Sequence, residues 1–368
     1  MALEALLSLP PLDLFVKAAA FRSATNIKCN GWWSATSELG HAAIMNLIKC
    51  ETLEMPSDQC RPELMLDDKF ECVFPKKEEW LGECNIYPPA GDLVCYTDGS
   101  KRNGLTGAGF FCDSPPLEVS LFTGTYATVY QTELFAISEL CRLDIIKQAS
   151  GKRIYICTDS QSAAEAIASP IVDSVSVREC KIVLNEIGNS NRVTILWVPS
   201  HEGIPGNEKA DLLANAGTEG SFIGPEPRFG ISKTTRKNII KKWLMDQHKI
   251  VWGGYEGARH TKIFCKTPSN DLSRQLLNLN RPDIKRVIEI ITDHCDLNKH
   301  LYDIGIKDNP KCLCGHGYET GSHIIGDCIR YRKNRLLLLG KPELSPQDME
   351  MKNLNLDNLH DLSQMDQQ

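Results

Sequence analysis

Two short apolar runs restrict this chain more than anything else in it. LVCYTDGS, ending at Ser100, and RIYICTDS, ending at Ser160, each stop in an aspartate followed by turn-forming residues. An apolar run of this length, bounded by a turn signal, reads as a buried strand. Between the two lie GAGFFCD and LEVSLFTG, which read as further strands of an antiparallel meander. QTELFAISELCRLDIIKQA follows, with Leu134, Ala136, Ile137, Leu140, Leu143 and Ile146 at helical spacing. SAAEAIAS and SVRECKIVLNEIG read as helices, VTILWVPS as a fifth strand, and NEKADLLANAG as a helix stopped by Gly217. The order βββαβααβα predicts a mixed sheet with helices packed against it.

The two aspartates are costly where they stand. Asp98 and Asp159 close apolar strands, and Glu133 lies near the start of a mostly apolar helix. Strand ends in such sheets converge on one crevice, so the three carboxylates can share one small volume. Singly, each has an ordinary explanation: a turn for Asp98, a helix N-cap for Asp159, a helix-dipole partner for Glu133. Together they would repel strongly unless a cation neutralised them. Their hard oxygens suit Mg²⁺ or Mn²⁺. WVPSHEGIPGNEKADLLA, from Trp197 to Ala214, adds a loop histidine, His201, and a fourth carboxylate, Asp211. There Asn207 is expected to cap the helix carrying Asp211, and an imidazole such as His201 can move a proton.

At these residues the resemblance becomes specific. YTDGS, QTELFAI, TDSQSA and WVPSHEGIPGNEKADLLA resemble the successive blocks of the type 1 ribonuclease H family. The version present here is most similar to the domain carried by non-LTR (LINE-type) retrotransposon Pol proteins. ALEALLSLPPLDLFVKAAA resembles the segment that follows the reverse transcriptase in those proteins. The resemblance implies an α/β fold with a five-stranded mixed sheet flanked by helices. It implies hydrolysis of the RNA strand of an RNA–DNA hybrid, assisted by two Mg²⁺ or Mn²⁺ ions. Asp98 then bridges both ions, Glu133 and Asp159 serve the leaving-group side, Asp211 serves the water side, and His201 moves protons and helps product leave. Ser100, Gln131, Gln161 and Asn207 are the implied nucleic-acid contacts. One position departs from the family: cellular members often carry an asparagine four residues before the catalytic glutamate, where this chain has Val129. A protein that keeps the fold and binds nucleic acid without cutting is the alternative reading.

Beyond Gly217, a Gly/Pro-rich linker leads to SKTTRKNIIKKWLMDQHKIVW, a helix whose cationic face holds Lys233, Arg236, Lys237, Lys241 and Lys242. Further on, Cys312, Cys314, His323 and Cys328 read C-x-C-x8-H-x4-C. Thiolates and an imidazole suit tetrahedral zinc with a structural role, and the cluster resembles the terminal Cys/His motif of the same retrotransposon proteins. The C-x-C spacing calls for a tight turn, and His316 is an alternative ligand.

The domain reading is therefore a connector over 1–90, resembling the end of a reverse transcriptase segment, and a ribonuclease H domain over 91–220. A helical region with the Cys/His motif follows over 221–340, then a disordered tail over 341–368, which is polar and rich in Asn and Gln. Formal net charge is −6, so a nucleic-acid partner requires a local basic patch rather than a basic average. The 15 cysteines follow no signal peptide, which reads as reduced thiols in a nuclear or cytoplasmic protein. No apolar run reaches the roughly 18–20 residues of a membrane span. The partners implied are an RNA–DNA hybrid and a reverse transcriptase domain or protein.

Overall fold

The computed structural model describes residues 1–30, 54–81, 88, 91–221, 229–356 and 358–359. The chain forms two compact units, Met1–Ala19 with Ile240–Gln368, and Ala20–Ile239. Helices α1 (Ala2–Leu6) and α2 (Leu12–Cys29) open it.

The unit Ala20–Ile239 contains β1 (Gln59–Leu64), β2 (Phe70–Val73), β3 (Leu93–Arg102), β4 (Leu105–Cys112) and β5 (Leu117–Gly124). Then come α3 (Val129–Arg142), β6 (Arg153–Thr158), α4 (Gln161–Ala168), β7 (Ile171–Ser174), α5 (Val175–Gly188), β8 (Arg192–Trp197) and α6 (Pro205–Gly217). The main sheet has order β2-β8-β6-β3-β4-β5. Strands β3, β4 and β5 pair antiparallel, whereas β6 runs parallel to both β3 and β8.

The sheet has six strands rather than the expected five. The sixth, β2, pairs parallel with β8 from Phe70↔Val193 to Val73↔Leu196. It lies in the stretch read as an irregular connector. Four residues with a glutamate among them are too short to show a period, and only the partner strand reveals them. β1 likewise pairs with β7, from Gln59↔Ser174 to Leu64↔Ile171.

Sequence patterning explains which faces are covered. Cys95, Phe110, Ile154, Ile156 and Ile195 of the sheet are buried with Leu134, Ile137 and Leu140 of α3, Ile167 of α4 and Leu184 of α5. Helix α6 packs on β3, β4 and β5. Two close approaches set these helices. A Cβ on Gly99 would come within 2.4 Å of Thr132 Oγ1 and 2.7 Å of the Glu133 backbone nitrogen. A Cβ on Gly109 would come within 2.2 Å of the Ala214 nitrogen. Neighbouring residues of a strand point to opposite faces, and Asp98 pairs with Gly109 while Gly99 pairs with Ala108. Helices α3 and α6 therefore cover opposite faces of β3.

The connector is tied down by one buried cation. Lys181 of α5 is fully buried, and its Nζ donates to Asp68 Oδ2 at 2.8 Å, Ile167 O at 3.0 Å and Ser169 O at 2.9 Å. All three ammonium donors are used, so the segment before β2 is clamped to the end of α4.

The unit formed by Met1–Ala19 and Ile240–Gln368 is helical. It includes most of α7 (Lys233–Gly254), then α8 (Asn270–Asn278), α9 (Arg281–Thr292), α10 (Gly321–Gly326) and α11 (Arg332–Leu339). Its core joins Leu6, Trp252, Phe264, Leu276, Ile291, Ile325 and Tyr331. The expectation of a disordered tail fails over its described part: Met349, Met351, Leu354, Leu356 and Leu359 are buried in this same core. Single Leu and Met residues spaced through polar sequence carry no helical or strand period, so composition hid them. Of the tail, residues 357 and 360–368 lie outside the described residues. Among the described residues, no helix is long and apolar enough to cross a membrane.

Lys181→Ala is expected to lower unfolding free energy by about 3–5 kcal/mol, because it strands Asp68 and two carbonyls beneath α5. Urea unfolding measures this, and a loss below about 1 kcal/mol would remove the clamp from the account.

Candidate active site and Cys/His cluster

Asp98 does not end its strand, as the sequence suggested, but lies within it. β3 continues to Arg102 against β4, while its pairing with β6 stops at Thr97↔Thr158. The side of β3 next to β6 is thus open from Asp98 onward, and Asp159 is the first residue past β6. Glu133 stands just beyond the first turn of α3, whose N-cap is Thr128. Gly99 lets that turn close on β3. One carboxylate oxygen from each of Asp98, Glu133 and Asp159 lies within 4.8 Å of the others. Asp98 and Glu133 are buried, 6% and 3% exposed.

Burial and crowding set the charge of this group. Burial raises the Asp98 pKa to about 8, with the charges of Asp159 and Asp211 and a hydrogen bond that protonated Asp98 donates to Asp211 acting in the same direction. The Gly99 N–H works against the shift. Burial also raises Glu133 well above the usual carboxylate range, and Asp98 and Asp159 add to it. Glu133 Oε2 is buried with no hydrogen-bond partner. At such separations, two carboxylates repel by about 3–4 kcal/mol at an effective dielectric constant near 20. An all-oxygen donor set, an orphaned buried oxygen and strong mutual repulsion together fit a hard divalent cation.

The fourth carboxylate and its supports follow from α6. Asp211 is half-buried on that helix and reaches Asp98 from the opposite side to α3. Asn215, one turn later, donates from Nδ2 to Asp211 Oδ1 at 3.0 Å, and the Ser100 hydroxyl donates to Asn215 Oδ1 at 2.5 Å. Asn207 donates from Nδ2 to Asp159 Oδ2 at 3.1 Å, and Trp197 Nε1 donates to the Asp159 carbonyl at 3.2 Å. Sequence reasoning missed Asn215. Its signal was the spacing of four residues from Asp211, which places both on one helix face.

Three expectations change. Asn207 does not cap α6: the helix begins at Pro205 with Ile204 as N-cap, and Asn207 is 3% exposed and directed at Asp159. Gln131 does not face solvent. It is fully buried as the third residue of α3, where Oε1 accepts from the Thr128 N–H at 3.1 Å and Nε2 donates to Gly230 O at 2.8 Å. Its place three residues after a threonine N-cap is a capping box, which takes the amide away from any ligand. Ser100 is engaged with Asn215 as described. Gln161 remains exposed at the first position of α4, its Nε2 on Glu165 Oε1 at 2.8 Å. Val129 is 41% exposed at the start of α3.

His201 is exposed in the β8–α6 loop at φ 55°, with Gly203 at φ 74°. The loop is pinned beside it by a Lys77–Glu202 ion pair of 2.5 Å. Among the described residues its ring makes no hydrogen bond, and it stands outside the carboxylate group.

In the helical unit, ligand atoms of Cys312, Cys314, His323 and Cys328 all lie within 4.8 Å of one another. Cys312 Sγ is 3.7 Å from Cys328 Sγ, and Cys314 Sγ is 3.3 Å from His323 Nε2. His323 Nδ1 meets Asp327 Oδ1 at 2.7 Å, the usual second partner of a metal-binding imidazole. The tight C-x-C turn is relieved by Gly315 and Gly317 at φ 80° and 75°. His316 serves through its backbone N–H, which donates to Cys314 Sγ at 3.3 Å. Burial acts to raise the Cys314 pKa, but hydrogen bonds from His316, His323, Cys312 and Cys328 outweigh it and bring the thiol to about 7.

The raised Asp98 pKa has a consequence for stability. Without divalent cation, the folded state holds a proton that the unfolded chain releases near pH 4. Stability from this group is full below pH 4 and lost as pH rises through about 8. In Mg²⁺-free buffer, parent melting temperature should fall relative to Asp98→Asn between those limits, and Mg²⁺ should restore the parent most at the alkaline end. Thermal melts across pH check this; parallel curves for the two proteins would contradict it.

Comparison with known families agrees with this geometry. Residues 90–219 match the family model for RNase H. The match covers the sheet from β3 onward and helices α3 to α6, and so includes all four carboxylates. This part of the chain is an RNase H domain.

Proposed function

We propose that the domain hydrolyses the RNA strand of RNA–DNA hybrids with the help of two divalent cations, Mg²⁺ or Mn²⁺. The observation that carries this reading is the carboxylate group: Asp98, Glu133 and Asp159, from three separate elements, within 4.8 Å and with one oxygen of Glu133 left unpartnered. Asp98, Glu133, Asp159 and Asp211 would hold the ions. When bound, such ions supply a nucleophilic water and charge stabilisation for a leaving oxygen.

The chain's own residues do the positioning. Asn207 and Trp197 fix Asp159, while Asn215 and Ser100 fix Asp211. Gly99 offers its N–H to both Asp98 and Glu133. In the hydrolysis, water forms a bond to phosphorus, the P–O3′ bond breaks, and the departing oxygen takes a proton, leaving 3′-hydroxyl and 5′-phosphate ends. His201, exposed and free to turn, is suited to moving protons between this site and solvent. Gln161, exposed two residues after Asp159, is the best-placed contact for the hybrid, where a 2′-hydroxyl distinguishes RNA from DNA.

The same reading assigns one structural zinc to Cys312, Cys314, His323 and Cys328, since all four positions are protein ligands. It also assigns the chain to a retrotransposon protein or a gene derived from one, as the motif variants and the flanking segments support.

Incubated with an end-labelled RNA–DNA hybrid and Mg²⁺, the parent should cut the RNA strand, and Asp159→Asn should lose at least about a hundredfold of that rate. Duplex DNA should survive. A folded parent that binds hybrid without cutting it would instead favour a binding protein that retains the fold. Elemental analysis should find one zinc per chain, lost together with several degrees of melting temperature in Cys328→Ser. A folded, zinc-free parent would retire the zinc assignment.

A further inference from the structure

The first turns of α7 are arranged at the expense of the helix itself. Lys233, Lys237, Lys241 and Lys242 are exposed, and no acidic residue occurs between Lys233 and Asp246. Positive charge near a helix N-terminus opposes the macrodipole, so this arrangement works against α7. Some lysines of the same unit are paired: Lys77 with Glu202 at 2.5 Å, Lys181 with Asp68 at 2.8 Å and Lys209 with Glu118 at 3.1 Å. Lys233, Lys237, Lys241 and Lys242 form no ion pair with a carboxylate among the described residues, unlike Lys249 farther along α7, which meets Asp246 at 3.3 Å. Arg236, between them, is committed inward, donating to Gln59 Oε1 at 2.7 Å.

The start of this row is fixed relative to the helix that carries Glu133. Gln131 of α3 donates to Gly230 O at 2.8 Å, two residues before the Ser232 hydroxyl that accepts from Thr235 N at 3.0 Å. Lys233 and Thr128–Tyr130, at the start of α3, line one cavity of about 440 Å³ together with the carboxylates of Asp58 and Asp173. Lys233 and Lys237 recur at a spacing of four and share a helix face. The apolar residues of this stretch are not displayed: Ile240 and Leu244 are buried.

We propose that Lys233 and Lys237, exposed at the start of α7 and outside the matched domain, bind the phosphate backbone of the nucleic-acid duplex presented to the carboxylate site. The proposal rests on the ribonuclease reading for its substrate. It supplies a local basic surface in a chain of net charge −6. Contacts to phosphate carry little sequence information, so the row holds and positions the duplex rather than selecting a base sequence.

The test measures binding of a labelled RNA–DNA hybrid by fluorescence anisotropy from 50 to 200 mM salt. It uses the full chain carrying Asp159→Asn with Mg²⁺, so that the hybrid stays intact. Adding Lys233→Gln and Lys237→Gln should weaken binding roughly tenfold or more and reduce the slope of log K against log salt by about 2. Adding Lys233→Glu and Lys237→Glu instead should weaken binding further while leaving the melting temperature equal or higher, since acid at this end suits the dipole. A lysine row with a merely structural role would lose stability and binding together, and that result would overturn the proposal. An unchanged salt slope, or no binding by the Asp159→Asn chain, would overturn it as well. Cleavage by the parent is scored separately. A parent that cuts hybrid, with lysine variants of unchanged slope, removes the proposal and leaves the ribonuclease reading standing. A parent that does not cut removes that reading whatever the slope.

Discussion

Carboxylates that repel one another are held together here by two helices pressed onto opposite faces of one strand. β3 carries Asp98, and its glycine neighbours permit the contact: Gly99 lets α3 approach within reach of Glu133, and Gly109 on β4 lets α6 approach with Asp211. A side chain at either glycine would push a helix outward and separate the acids. The fold therefore bears the electrostatic cost of the cluster through backbone packing, and a bound cation would offset it. The raised Asp98 pKa and the unpartnered Glu133 oxygen express that cost in this structure.

Around this centre the polar side chains do the orienting. Asn207, Trp197, Asn215 and Ser100 each spend a donor on holding an acid or its backbone. Ser100 and Asn207, read from sequence as nucleic-acid contacts, hydrogen-bond Asn215 and Asp159 in this structure. Gln131 went further from expectation, since a capping box and Gly230 consume its amide. Polar residues near a charged cluster are as useful for fixing it as for touching a ligand, and only hydrogen-bond geometry separates the two.

The sheet from β3 onward and its helices were legible because each element is long enough to show a period and ends in a strong turn or cap signal. The carboxylates were legible only in combination, since each alone has an ordinary structural use, and through the resemblance of the blocks that carry them. β2 was not legible: four half-exposed residues gain their identity only by pairing with β8. The packed segment around Met349–Leu359 escaped for a related reason, as isolated apolar residues in polar sequence show their purpose only against the core they enter. Lys181 gave no signal either, being one cation in an amphipathic helix until Asp68 folds over it. The Cys/His cluster, by contrast, was readable from spacing alone, with Gly315 and Gly317 explaining how so tight a turn is made.

The proposed function requires the carboxylate group to hold divalent cations. The most direct measurement is anomalous diffraction from crystals grown with Mn²⁺. Anomalous peaks are expected among Asp98, Glu133, Asp159 and Asp211, with Mn–O distances of about 2.0–2.3 Å, and at least one peak should be lost in Asp159→Asn. A well-ordered Asp98 group with no peak at saturating Mn²⁺ would contradict that function, and would leave the cluster as a buried, proton-sharing set of acids.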